Sequence, residues 1–159
     1  MRAHLPLAIL GILTVALLPD TLTAQAPDPV NGTWVLNVAK STFKPGPAYK
    51  SETRTYEMVG NQLKMKSTVV DADGTSRDVA STYTVDGKEY PVTGAPDVDS
   101  QALKQIDRYT LEGNLMKNGK VVQTVKRVVS NDGAVLTIWF KGTDAKGRQI
   151  DNTLVFDRR

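Results

Sequence analysis

Short turn signals recur along this chain at hairpin spacing: Val59-Gly60-Asn61-Gln62, Asp71-Ala72-Asp73-Gly74, Asp86-Gly87, Asn118-Gly119, Asp132-Gly133 and Asp144-Ala145-Lys146-Gly147. Asn-Gly and Asp-Gly supply the positive φ angles that tight antiparallel connections require. Between these turns the residues alternate. Leu63, Met65, Ser67 and Val69 fall on one side, with Gln62, Lys64, Lys66 and Thr68 on the other. Val79, Ser81, Tyr83 and Val85 repeat the pattern, as do Leu136, Ile138 and Phe140, and Ile150, Asn152, Leu154 and Phe156. A period of two places each set on one face of a strand, and abundant Val and Thr suit such a pleated surface.

Ten strands are predicted, over 33–39, 50–59, 62–70, 75–85, 88–93, 101–107, 109–116, 120–130, 134–143 and 147–157. Over 97–107, Val98, Ala102 and Ile106 also stand at helical spacing behind a capping Asp99 or Ser100; the hairpin rhythm favours a strand. Residues 40–49, with Pro45-Gly46-Pro47, are predicted to form a loop or 3₁₀ turn. Val121 to Val129 is apolar at both parities, which predicts a strand covered on both sides or lying over a barrel base. Consecutive hairpins close most simply into an all-β, antiparallel up-and-down β-barrel, which removes exposed edges and at about eight to ten strands leaves room for side chains or one small ligand. A two-sheet sandwich is the alternative.

Residues 1–26 have the parts of a secretory signal: Arg2, an uncharged apolar run from Leu5 to Leu18, and Ala24-Gln25-Ala26 before the cut. As helix that run covers roughly 21 Å, short of a bilayer core of about 30 Å, and Pro19-Asp20 ends it, so a cleaved signal is preferred to an uncleaved anchor. The expected product is an exported protein, periplasmic or secreted, whose single domain spans 27–159 and which makes no stable membrane insertion after cleavage. The chain has 20 Lys and Arg against 17 Asp and Glu, a net charge of +3, and no cysteine. A lipid-modified cysteine anchor and disulfides are excluded, and so small a charge excess gives no case for nucleic acid.

The segment Asn31-Gly32-Thr33-Trp34-Val35-Leu36-Asn37, a Gly-x-Trp opening the first strand, resembles the start of lipocalins and of the wider calycin group, which includes fatty-acid-binding proteins. The rest is similar to small exported bacterial lipocalin-like proteins, on Trp34 to Phe43, Asp86 to Gly94, Leu103 to Asp107, and Gly119-Lys120-Val121-Val122 through Val129 to Gly133. The resemblance implies a barrel whose base is closed by Trp34 beneath an Arg from a late strand, a stacking worth about 0.5–2 kcal/mol. Arg127 and Arg158 are the candidates, and Arg127 is expected because its strand is otherwise apolar. Fatty-acid binding is not carried over. Lipocalin disulfides are absent, Leu154-Val155-Phe156 stands where fatty-acid-binding proteins carry an Arg-x-Tyr, and no helical lid fits between Ala39 and Lys50.

The chemistry is bounded by what is missing. The one histidine, His4, lies in the signal, so thiol nucleophiles, Cys/His zinc sites and imidazole bases are excluded. Glu52 and Glu57 are an odd number of positions apart and face opposite sides. Asp71 with Asp73, and Asp97 with Asp99, offer oxygens for a hard cation, yet no twelve-residue calcium loop surrounds them and turn geometry explains them. No catalytic residue, metal site or cofactor is therefore assigned. Tyr56, Met58, Met65, Tyr83, Ile138 and Phe140 are expected to face inward, with Arg127 as an anchor for an anionic group. Ser67, Ser81 and Asn152 make that interior more polar than a filled core needs, which suits a pocket or buried water. Tyr49 and Trp139 are candidate surface aromatics. Asn31-Gly32-Thr33 matches a glycosylation acceptor by chance in this reading. The expectation is a non-catalytic barrel that binds a small hydrophobic or amphipathic ligand. The alternatives are an envelope-interaction module with a filled interior and an enzyme using carboxylates or tyrosines at the barrel mouth.

Overall fold

A computed structural model describes residues 28–159; the signal read over 1–26 lies outside them. Ten strands follow one another: β1 Gly32–Leu36, β2 Ser51–Val59, β3 Gln62–Val70, β4 Ser76–Tyr83, β5 Asp86–Thr93, β6 Ser100–Gln105, β7 Thr110–Lys117, β8 Lys120–Val129, β9 Val135–Thr143 and β10 Gln149–Arg158. Each pairs antiparallel with its sequence neighbour, and β1 also pairs with β10, closing an up-and-down barrel. The strand reading of 97–107 holds at β6, and the loop after β1 carries one 3₁₀ turn, Val38–Lys40, capped by the Asn37 side chain.

Closure rests on the register Trp34↔Arg158 and Leu36↔Phe156 between β1 and β10. Beyond the 3₁₀ turn the chain rejoins β10 at the Thr42↔Thr153 bridge, and Asp151 donates its N–H to the Lys44 carbonyl. The β10 edge is thus covered along most of its length, so no long row of peptide groups is left open. The loosest seam is β4 against β5, where only Ala80↔Thr93 and Ser81↔Val92 are in register.

The barrel has two unlike ends. At one, here called the closed end, lie the leader 28–31 and the β2–β3, β4–β5, β6–β7 and β8–β9 turns. Trp34 is 0 % exposed there and donates its Nε1–H to the Val30 carbonyl at 2.7 Å. The Arg158 guanidinium lies 4.1 Å from the Trp34 ring centroid and donates to the carbonyls of Pro29, Asn31 and Gly133. Arg127 was the expected partner of Trp34; it stacks on Tyr56 instead, at 5.2 Å. The reason is register: Arg158 is paired directly with Trp34 across the closing seam, whereas Arg127 is paired with Leu111 and Ile138. Gly32 is held at φ +122, and a Cβ there would come within 2.8 Å of Arg158 Nη1, which accounts for the glycine of Gly-x-Trp.

A second correction concerns β8. Only Gln123, Val125, Arg127 and Val129 are buried, while Val121 is exposed, so the strand is covered on one face. Its apolar run reflects β-branched residues tolerated on the outer surface.

Candidate functional site

The other end of the barrel, the mouth, is framed by the β3–β4, β5–β6, β7–β8 and β9–β10 turns and by the loop from β1 to β2. Inside it lies a cavity of about 130 Å³. Its walls are apolar, from Met65 and Val69 on β3, Val79 on β4, Leu115 on β7, Phe140 on β9 and Leu154 on β10. Polar side chains stand among them: Glu52, Arg54, Gln101, Gln123 and Asn152, with Tyr49, Arg77 and Asp97 at the rim.

Strand parity places the central group. Glu52, Arg54 and Tyr56 alternate along β2 and all face inward, and Arg54 is in register with Ser67 on β3. Glu52 is 1 % exposed. Its Oε1 accepts from Arg54 Nε at 2.8 Å, from Arg54 Nη2 at 2.6 Å and from the Ser67 hydroxyl at 2.5 Å. Its Oε2 is buried and accepts from no group among the described residues. Burial is the largest influence and opposes the charge on Arg54, but Glu52 and the Tyr56 hydroxyl together outweigh it and hold the guanidinium above its ordinary value.

A polar chain continues from this pair toward the closed end. Arg54 Nη1 donates to the Tyr56 hydroxyl at 3.3 Å, Arg127 lies over the Tyr56 ring, and Arg127 Nη1 donates to the Tyr83 hydroxyl at 3.3 Å. Burial pushes the Tyr83 phenol up although Arg127 beside it pulls the other way. Arg127 Nε is buried with no acceptor among the described residues, whereas the other polar groups around the cavity are held by the barrel itself. Gln101 donates to the Ser81 hydroxyl, which donates to the Pro91 carbonyl, and Gln123 donates to the Thr143 carbonyl. Asn152 accepts from the Lys44 N–H.

The residues singled out from the sequence separate into groups. Met65 and Phe140 line the mouth cavity. Tyr56, Tyr83 and Arg127 meet in the polar chain, with Arg127 only 4 % exposed and not on the cavity wall. Ile138 is packed in the core beside Arg127. Met58, at the far end of β2, is 38 % exposed and borders a separate hollow of about 730 Å³ at the closed end, with Asp28, Gly60 and Arg108. Tyr49 and Trp139 are both half-buried rather than surface aromatics. Tyr49 packs edge-on against Phe43 at 5.1 Å and beneath Arg77 at 5.5 Å.

The acidic turns act as turn devices. Asp71 pairs with Arg77 at 3.0 Å, and Asp73 accepts from the Thr75 N–H. Asp97 accepts from the Ala145 N–H and Asp99 from the Asn118 N–H, each tying one mouth loop to another. In the sequence, Glu52 stands out only as facing away from Glu57. The signal that would have found it is its shared parity with Tyr56, since two charged residues on a face expected to be inward require each other. Compared with family models and with curated proteins, the sequence matches none.

Proposed function

We propose that this protein is an exported, non-catalytic, lipocalin-like carrier that takes a small amphipathic molecule into the mouth half of its barrel. One observation carries the reading: a cavity with largely apolar walls is lined in part by the buried Glu52 carboxylate, one of whose oxygens has no donor among the described residues. A buried acceptor left without a donor costs about 1–3 kcal/mol, and a buried ion pair is weak evidence for stability. A chain selected for stability alone would carry apolar side chains at these inward positions, as it does at Leu111, Leu136 and Ile138. The volume suits an occupant about the size of one aromatic ring, since a dry cavity of about 150 Å³ accepts benzene.

Native mass spectrometry of the freshly purified protein tests for a molecule that travels with it. Thermal unfolding against a panel of ring-sized hydrocarbons, alcohols, amines and acids tests for binding directly. A ligand present at about 100 times its dissociation constant stabilises the fold by about 2.7 kcal/mol. Retained mass or stabilisation by a panel member is the expected result. A bare protein that no member stabilises makes the barrel a structural module instead. Recovery of the exported form with an N-terminus after Ala26 tests the signal.

A further inference from the structure

Resting on that carrier reading, we infer that the mouth cavity selects a compact organic cation, a primary amine on an apolar body, whose ammonium group donates to Glu52 Oε2. Glu52 Oε1 is saturated by Arg54 and Ser67, so the carboxylate is fixed in orientation and its second oxygen is the one polar atom of this group left to a ligand.

The charges around the cavity favour the same sign. Arg54 is committed to Glu52 and to the Tyr56 hydroxyl. Arg77 is committed to Asp71 and lies over Tyr49. Both guanidiniums on the cavity wall are therefore engaged by groups of the barrel. Asp97 at the rim adds a carboxylate with no ion-pair partner within 4.0 Å among the described residues. Among the described residues of the cavity wall, an entering anion meets two carboxylates and only guanidiniums already engaged, whereas an ammonium meets complementary charge. A hydroxyl can also donate to Oε2, but only an ammonium brings the opposite charge, and attraction between unit charges grows as the surroundings become less polar than water. The apolar body then lies between Met65, Val79, Leu115 and Leu154.

The test is calorimetric titration of the purified protein with benzylamine, benzyl alcohol, toluene and benzoate, which share one ring and differ in head group. Benzylamine is expected to bind tightest and benzoate weakest, with a separation of about tenfold or more. Glu52→Gln keeps an oxygen for Arg54 and Ser67 and turns the second position from acceptor to donor, so the preference for the amine over benzoate should vanish. Should that variant not fold, the wild-type protein gives an independent reading. Benzylamine affinity should fall as pH rises through the amine's own pKa, while benzyl alcohol affinity does not follow. Benzoate binding as tightly as benzylamine, or an amine preference that survives in Glu52→Gln, overturns the inference and leaves the carrier reading standing. Binding by none of the four overturns the carrier reading, and this inference with it.

Discussion

The closed half and the mouth half of the barrel are built from the same alternating strands and differ in what occupies the inward positions. In the closed half these are chiefly Trp34, Phe156, Leu111, Leu136 and Ile138, all essentially without solvent exposure, with Arg127 and the Tyr56 and Tyr83 hydroxyls buried among them. In the mouth half, Glu52, Arg54, Gln101, Gln123 and Asn152 interrupt the apolar wall and a cavity remains. Apolar fill contributes stability in proportion to the area removed from water. Buried polar networks contribute little net stability and demand that each member find a partner. On the proposed carrier reading, one end serves stability and the other recognition, on a single continuous sheet.

The largest effect should come from the closed end. Trp34→Ala removes the ring that Arg158 covers and is expected to destabilise the fold by about 3–5 kcal/mol, read as a lower urea midpoint with an unchanged slope. A loss under about 1 kcal/mol would mean that the plug formed by Trp34 and Arg158 does not hold the barrel, and the contrast between the ends would break.

A smaller effect is expected at the mouth. Arg54→Leu leaves Glu52 buried without its cation and should cost about 2 kcal/mol, less than a fully buried pair because the cavity lies beside it. The double variant Glu52→Leu/Arg54→Leu should recover most of that loss or exceed the wild type in urea unfolding. Recovery sharpens the comparison, since it shows a polar pair that stability does not require. A double variant worse than Arg54→Leu alone would make the pair part of the scaffold.

How much of this was legible in the sequence depends on the range of the interaction. Hairpins are local, so Asn118-Gly119 and Asp132-Gly133 announce their strands within a few residues, and every one of the ten strands lies close to its expected span. The closing seam is not local. Trp34 and Arg158 are at opposite ends of the described chain, and their pairing depends on a register that no short pattern encodes. Arg127 looked like the partner of Trp34 because an Arg in an apolar strand signals an inward charge; the inward direction was right and the aromatic was Tyr56. At the candidate site, parity correctly set Glu52 against Glu57 on β2. What parity cannot supply is that β3 brings Ser67 level with Arg54, which fixes Glu52 in place.

Acid should produce the smallest and least localised effect. Asp107 accepts from the N–H groups of Tyr109 and Thr110, which hold its carboxyl below the ordinary range, and the Lys88 N–H does the same for Asp86. Those turns are at the closed end; at the mouth, the Thr75 N–H lowers Asp73. A carboxyl with a folded pKa below its unfolded value stabilises the fold above that unfolded value, about pH 4, and loses its contribution as pH falls through the folded pKa. The melting temperature should therefore decline below about pH 4. Asp107→Asn can still accept from both N–H groups but cannot titrate, so its melting temperature should fall slightly less over the same range. Because such carboxyls cap turns at both ends, amide exchange in acid should loosen the two ends alike. Loosening confined to the mouth would show that the packed plug protects its own turns, and the division between the two halves would then extend from side-chain fill to the backbone itself.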